Sequence, residues 1–307
     1  MLWARCHNKE SEIIQLIHYT LQEYFQDTLT RWFPTAHLDI ANTCVSYLSF
    51  KDFSGGPVRT SEEARERLEK PLFTYAADYW GHHISACSAC VPQLLNLLTS
   101  SEWVSMVVQL CDRFSETRRR PWLLHHRNQS SEYLRPSQNA FHIVGAYGLN
   151  NVVKLLLTSA KDIHPDQPDR RGRTPLSWAA RNGHTEVVKA LLSDGRVDPN
   201  RQDNGGLTPL SWAAENGHTE VVKILLSDGR TDPDRQDNDG ITPLSCAAGN
   251  GHTEIVKILL SDGRVNPDRQ DNGGQTPLSL AAKNGYTEVV KILLSDGPRR
   301  RPFKVCM

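Results

Sequence analysis

Apolar positions in the second half of the chain recur on a fixed beat. Leu176, Ala179 and Ala180 lie on one helical face, and Val187, Val188, Leu191 and Leu192 form a second stripe at i, i+1, i+4, i+5. Polar punctuation separates the two stripes. Thr174 is placed to cap the first helix and Pro175 to fill its first position, where no amide proton is needed. Asn182-Gly183 breaks that helix, Gly supplying a positive φ. Asp194-Gly195 ends the second helix, and Asp198-Pro199 through Asn204-Gly205-Gly206 reads as a turn-rich finger. The whole unit then returns. Thr-Pro-Leu-Ser starts again at Thr208, Thr242 and Thr276, each time after 34 residues.

Neither helix of a unit is long enough to be stable alone in water, so each buries its stripe only against the next unit. The expected architecture is a one-dimensional stack. The period and the Thr-Pro-Leu-x-x-Ala pattern resemble the ankyrin repeat, with Ser177 where that family usually carries His. A weaker copy runs from Asn139 to Leu157 and keeps His142, Gly148 and the Val152-Val153…Leu156-Leu157 spacing, without the Thr-Pro start. Five repeats are expected over 137–297. The last outer helix, with Val289, Val290, Leu293 and Leu294, is nearly as apolar as an internal one, so its face needs either a partner or a further repeat. Residues 298–307 form a basic tail without repeat character.

Residues 1–130 contain no repeat. Glu12–His18 reads as a short apolar strand and Thr20–Phe25 as the start of a helix with a capping-box sequence. Ala36–Leu48 places Ile40, Ala41, Cys44, Val45 and Leu48 at helical spacing. Further helices are expected from Ser61, across Leu72, Tyr75, Ala76, Tyr79 and Trp80, and across Trp103, Met106, Val107, Leu110, Cys111 and Phe114. The fold class is therefore predominantly all-α, an ankyrin-type solenoid preceded by a mostly helical domain. Leu16–Phe25, Asp39–Leu48 and Tyr79-Trp-Gly-His-His83 resemble the region that follows the NACHT domain in fungal NACHT–ankyrin proteins, which are NLR-like receptors. That resemblance implies a winged-helix-like connector leading into the repeats and a sensor role in signalling. It does not carry over nucleotide binding, because no G-x-x-x-x-G-K-[ST] loop occurs in the chain.

Comparison of the repeats with one another locates the variable positions. Arg181, Glu215, Gly249 and Lys283 fill the slot before Asn-Gly; Arg173, Leu207, Ile241 and Gln275 fill the slot before Thr-Pro. In ankyrin-like stacks the finger and the inner helix line a concave partner-binding face, so these eight residues are the candidate protein-binding set. A third varying position, Trp178, Trp212, Cys246 and Leu280, shares the face of the inner helix and is expected to pack between repeats.

Charge and chemistry narrow the function further. Lys+Arg 35 balances Asp+Glu 35, which gives no global field toward nucleic acid or a membrane surface. The runs Arg118–Arg120 and Arg299–Arg301 are too short to change that, and aromatic interleaving suited to base stacking is missing. An apolar fraction of 38% fits an elongated architecture. The seven cysteines are odd in number and scattered, which favours reduced thiols, and neither a secretory signal nor a membrane-spanning run is seen. A cytoplasmic protein is expected.

His82-His83 with Cys87-x-x-Cys90 lacks a second cysteine pair and reads as packing rather than zinc. His184, His218 and His252, with Tyr286 in the same slot, are expected to hold turns, and Glu186, Glu220, Glu254 and Glu288 to complement helix dipoles. No catalytic, cofactor or metal residues are assigned. The expected function is a non-catalytic protein–protein interaction module, the sensor or adaptor portion of an NLR-like protein. Alternatives are an accessory subunit or shortened product of a multidomain NTPase, and a metal-binding, enzyme-like N-terminal domain.

Overall fold

A computed structural model describes residues 36–48, 73–86, 94, 98, 139–159 and 162–295. The chain divides into two units, 1–140 and 141–307. In the first unit the helices α1 (Ala36–Leu48) and α2 (Phe73–Ala86) pack on each other. The apolar spacing read for α1 is realised, with Ala41, Cys44, Val45 and Leu48 all buried. On α2 the Ala76 and Trp80 positions are buried as the spacing requires. His83 is buried as well and bonds the ring of His37 (2.9 Å) and the hydroxyl of Tyr75 (2.9 Å). Burial pushes the neighbouring Cys44 thiol up to about 11, so it is a packed, protonated group. The strand at Glu12–His18 and the helices placed at Thr20–Phe25, from Ser61 and at Trp103–Phe114 lie outside the described residues. So do Cys87, Cys90, both Arg runs and the 298–307 tail.

The second unit is a stack of helix pairs. They are α3 (Ala140–Tyr147) with α4 (Asn150–Ser159), α5 (Pro175–Asn182) with α6 (Thr185–Leu192), and α7 (Pro209–Glu215) with α8 (Thr219–Ser227). α9 (Pro243–Gly249) with α10 (Thr253–Ser261), and α11 (Pro277–Lys283) with α12 (Thr287–Ser295), complete it. From the Thr174 repeat on, inner helices pack on inner helices, outer on outer, and each inner helix on the outer helix of its own repeat. All described residues with regular structure are helical, so the all-α solenoid expected from the pattern is what forms.

Local chemistry explains the starts and stops. Thr174, Thr208, Thr242 and Thr276 sit in extended backbone and accept from the amides of Ser177, Ser211, Ser245 and Ser279 through their hydroxyls. The Ser that replaces the family's His therefore completes the cap, its hydroxyl 3.0–3.1 Å from the Thr hydroxyl in the first three of these repeats. α5 ends at Gly183, whose φ of 77° lies in the left-handed region. Leu176, Ala179, Ala180, Val187, Val188 and Leu191 are all fully buried. The alanines keep the inner helices close, and each buried Leu or Val contributes about 1.5–3 kcal/mol relative to exposure.

Polar ladders join one repeat to the next. His184, His218 and His252 donate from Nε2 to the carbonyls of Ala146, Arg181 and Glu215 at 2.9–3.1 Å, each in the preceding repeat. The turn-holding role read from the sequence is thus an inter-repeat bond. In the fingers, Asn204, Asn238 and Asn272 donate their backbone amides to Arg171, Gly205 and Asp239. Their side-chain amides donate to Arg170, Asn204 and Asn238. On the outer side, Arg230 reaches the carbonyls of Leu192 (2.9 Å) and Val197 (3.1 Å), and Arg264 those of Leu226 and Thr231. These guanidiniums take up carbonyls left over at the end of the preceding outer helix and in the turn beyond it.

Candidate protein-binding face

The finger and inner helix of each repeat are tied together by one carboxylate. Asp169, Asp203, Asp237 and Asp271 occupy equivalent finger positions, and Oδ1 of each accepts the backbone amide four residues on, at Arg173, Leu207, Ile241 and Gln275, at 2.7–2.9 Å. Oδ2 then points at the inner helix. Trp178 donates its indole N–H to Asp169 Oδ2 at 3.2 Å and Trp212 donates to Asp203 Oδ2 at 3.0 Å. Packing accounts for the two Trp residues, as expected, but their hydrogen bonds fix the finger as well. Trp178 is buried and Trp212 half-buried.

Arg173 departs from its expected role. A member of the candidate protein-binding set, it is only 5% exposed. Its guanidinium pairs with Asp169 (2.9 Å through both Nε and Nη2) and lies 4.1 Å over the Trp178 ring. A long side chain beside a buried carboxylate and an indole face turns inward to satisfy both. Arg173 is a structural residue of the finger.

The other slot residues reach the surface to different degrees. Leu207, Glu215, Ile241, Gly249 and Gln275 are half-buried and Lys283 is exposed. Arg181 is half-buried because it bridges two repeats, its guanidinium 4.7 Å from the Trp212 ring centre and 5.8 Å from that of Trp178. Arg173, Trp178, Arg181 and Trp212 therefore form a continuous cation–π column along the inner-helix face. Further along, the column stops. Cys246 and Leu280 replace the indoles, and Gly249 leaves open space next to Leu280 Cβ, 3.9 Å from where its own Cβ would lie.

Electrostatics differ between the two ends. Burial pushes the Cys246 thiol up to about 12, with the negative charges of Glu215 and Asp237 adding to it. The Asp237 carboxyl is likewise raised by burial, against the two backbone N–H bonds it accepts. The varying residue types at these slots were visible in the text of the repeats. The finger aspartates were not singled out, although an unvarying Asp beside the changing pairs Arg173/Trp178, Leu207/Trp212, Ile241/Cys246 and Gln275/Leu280 is the signal that would have exposed them.

No group of three or more His, Cys, Asp or Glu side chains able to hold a metal is present among the described residues. No helix among them is long and apolar enough to cross a membrane. Against known families, the model for ankyrin repeats (3 copies) matches residues 141–237 and 229–300. The chain belongs to the ankyrin-repeat family. No curated protein matches it. The matched residues hold the repeats, the fingers and every one of the slot residues, and ankyrin repeats are typically protein–protein interaction modules rather than catalysts.

Proposed function

We propose that this ankyrin array captures a partner protein through its inner-helix face, with Arg181, Leu207, Glu215, Ile241, Gly249, Gln275 and Lys283 setting which partner is taken. The observation that carries this reading is the half-buried Arg181 stacked on the half-buried Trp212, a guanidinium and indole pair of the kind that dominates binding energy at interfaces. The scaffold around it hardly varies, whereas these slots differ from repeat to repeat. Residues 137–297 act as the binding array. Residues 1–130 act as a helical connector, which the resemblance to NACHT–ankyrin proteins makes the link to an NLR-like, cytoplasmic signalling context.

The test is partner capture from a native lysate by the full chain, compared with a variant carrying Arg181→Ala, Glu215→Ala and Lys283→Ala. Capture should fall to background while the melting midpoint moves by only a few degrees, because the Glu215 and Lys283 side chains reach the surface and Arg181 adds a single cation–π bridge between two repeats. Undiminished capture by the variant overturns the proposed face.

A further inference from the structure

The inner-helix face does not treat its four finger carboxylates alike. Asp169 Oδ2 takes bonds from Arg173 and Trp178, Asp203 Oδ2 from Trp212, and Asp271 Oδ2 from the Gln275 side chain at 3.4 Å. Asp237 accepts only backbone amides, and both do so at Oδ1. The two positions that supply the missing donor elsewhere are Ile241 and Cys246 here, and neither side chain is engaged with it. Only in this repeat does neither position give the carboxylate a side-chain donor, Ile241 standing before Thr-Pro and a short thiol in place of an indole, with Gly249 in the surface slot.

A second carboxylate faces the same spot. Arg181 shows where this slot reaches, over the aromatic position of the next repeat. Glu215 occupies the equivalent slot one repeat later, held against the Thr242 repeat by the bond from His252 Nε2 to its carbonyl (3.0 Å). Its negative charge, together with that of Asp237, acts on the Cys246 thiol. Its carboxylate makes no ion pair or hydrogen bond among the described residues. Gly249 adds no side chain above the site, and the Cβ position there meets nothing closer than 3.9 Å.

We infer that Glu215 and Asp237, over Cys246 and beside Gly249, form the seat for one basic side chain, Arg or Lys, of the partner protein. A guanidinium or ammonium supplies to Asp237 Oδ2 the donor that an indole or an amide supplies in the other repeats, and Glu215 supplies the second counter-charge. The face therefore has a direction. Its Trp178–Trp212 end is already filled by the protein's own arginines, and its Thr242 end takes a cation from outside. The inference rests on the inner-helix face being the capture surface, and its test is independent of that reading.

The probe is the blocked peptide acetyl-Gly-Ala-Arg-Ala-Gly-amide, titrated into the full chain while backbone amide shifts are followed, with Glu and norleucine versions as controls. The Arg peptide should shift the Asp237, Cys246 and Gly249 amides saturably, and the two controls should not. Asp237→Asn and Glu215→Gln should each weaken it about tenfold, the loss of one charge-assisted bond. Cys246→Trp, which rebuilds the indole–carboxylate pair of the Thr208 repeat, should abolish it, with an undiminished melting midpoint showing that the chain is folded. Equal binding of the norleucine peptide overturns the inference. So does an absence of saturable shifts, or shifts confined to the outer-helix carboxylates Glu220 and Glu254. If the Arg peptide fails while the triple variant still loses partner capture, the face stands and the basic anchor falls. If the peptide binds as stated while that variant captures normally, the seat stands and the capture reading falls.

Discussion

At the scale of single residues, carboxylates in this array divide by what lies beside them. Asp194, Asp228 and Asp262 each bond the guanidinium two residues on, which holds their carboxyls below the ordinary value of 3.8. Asp166, Asp234 and Asp237 are raised above it by burial. The signs oppose each other. A depressed carboxyl contributes stability that is present above its unfolded pKa and lost as pH falls through the folded one. A raised carboxyl favours the folded state below its folded pKa, and that contribution is lost as pH rises through it.

Asp228→Asn isolates the first class, because the amide oxygen still accepts from the Arg230 backbone (3.0 Å) while the ion pair at 2.7 Å is lost. It should cost about 1 kcal/mol near neutral pH, kept small by the solvent around Arg230, and the difference from the parent should vanish in acid as Asp228 itself protonates. Urea titrations at a series of pH values measure it; a pH-independent difference refutes it. Arg173→Met is the harsher case. It leaves Asp169 as a buried charge without its guanidinium and should cost about 3–5 kcal/mol by urea unfolding.

At the scale of elements, the turn between inner and outer helix depends on a glycine for two separable reasons. Gly217 and Gly285 have the same backbone, φ 80° and 79°, and both pay strain if given a side chain. Around Gly217 a Cβ would also lie 2.7 Å from the His252 ring, which must then leave its bond to the Glu215 carbonyl; around Gly285 nothing lies within 4 Å. Gly285→Ala should therefore cost about 1 kcal/mol and Gly217→Ala about 1–3 kcal/mol more, as overpacking does. Equal losses in thermal or urea unfolding would show that backbone strain alone matters there.

The same elements show how far the sequence could be read. Thr-Pro starts, Asn-Gly stops and both apolar stripes are local signals, so the helices of the array and α1 and α2 were legible. The slot residues were legible as variable, but not their surroundings. Arg173 and Arg181 look alike in the text. One is buried by a carboxylate four residues away and the other is stretched between two indoles, one of them 31 residues on. Side-chain contacts made that difference, within the repeat for Arg173 and across the repeat boundary for Arg181, and the period of the apolar stripes encodes neither.

At the scale of the whole array, identical residues acquire different weights from their place in the stack, because stability sums over repeats and the interfaces between them. Leu260 and Leu294 occupy the same position of successive outer helices, in nearly the same text, TEIVKILLS and TEVVKILLS. Leu260 is 8% exposed under the following repeat, whereas Leu294, in the last described helix, is 55% exposed. Truncating the first removes packing against α12 as well as within its own helix; truncating the second removes little that was out of water. Leu260→Ala should cost about 2–3 kcal/mol, as a core truncation does, and Leu294→Ala under about 0.5 kcal/mol, as a surface change does. Guanidinium unfolding of the full chain and both variants gives the comparison directly. Should Leu294→Ala prove as costly as Leu260→Ala, its side chain must be covered in solution, and the face of α12 would belong to an interface rather than to the open end of the described stack.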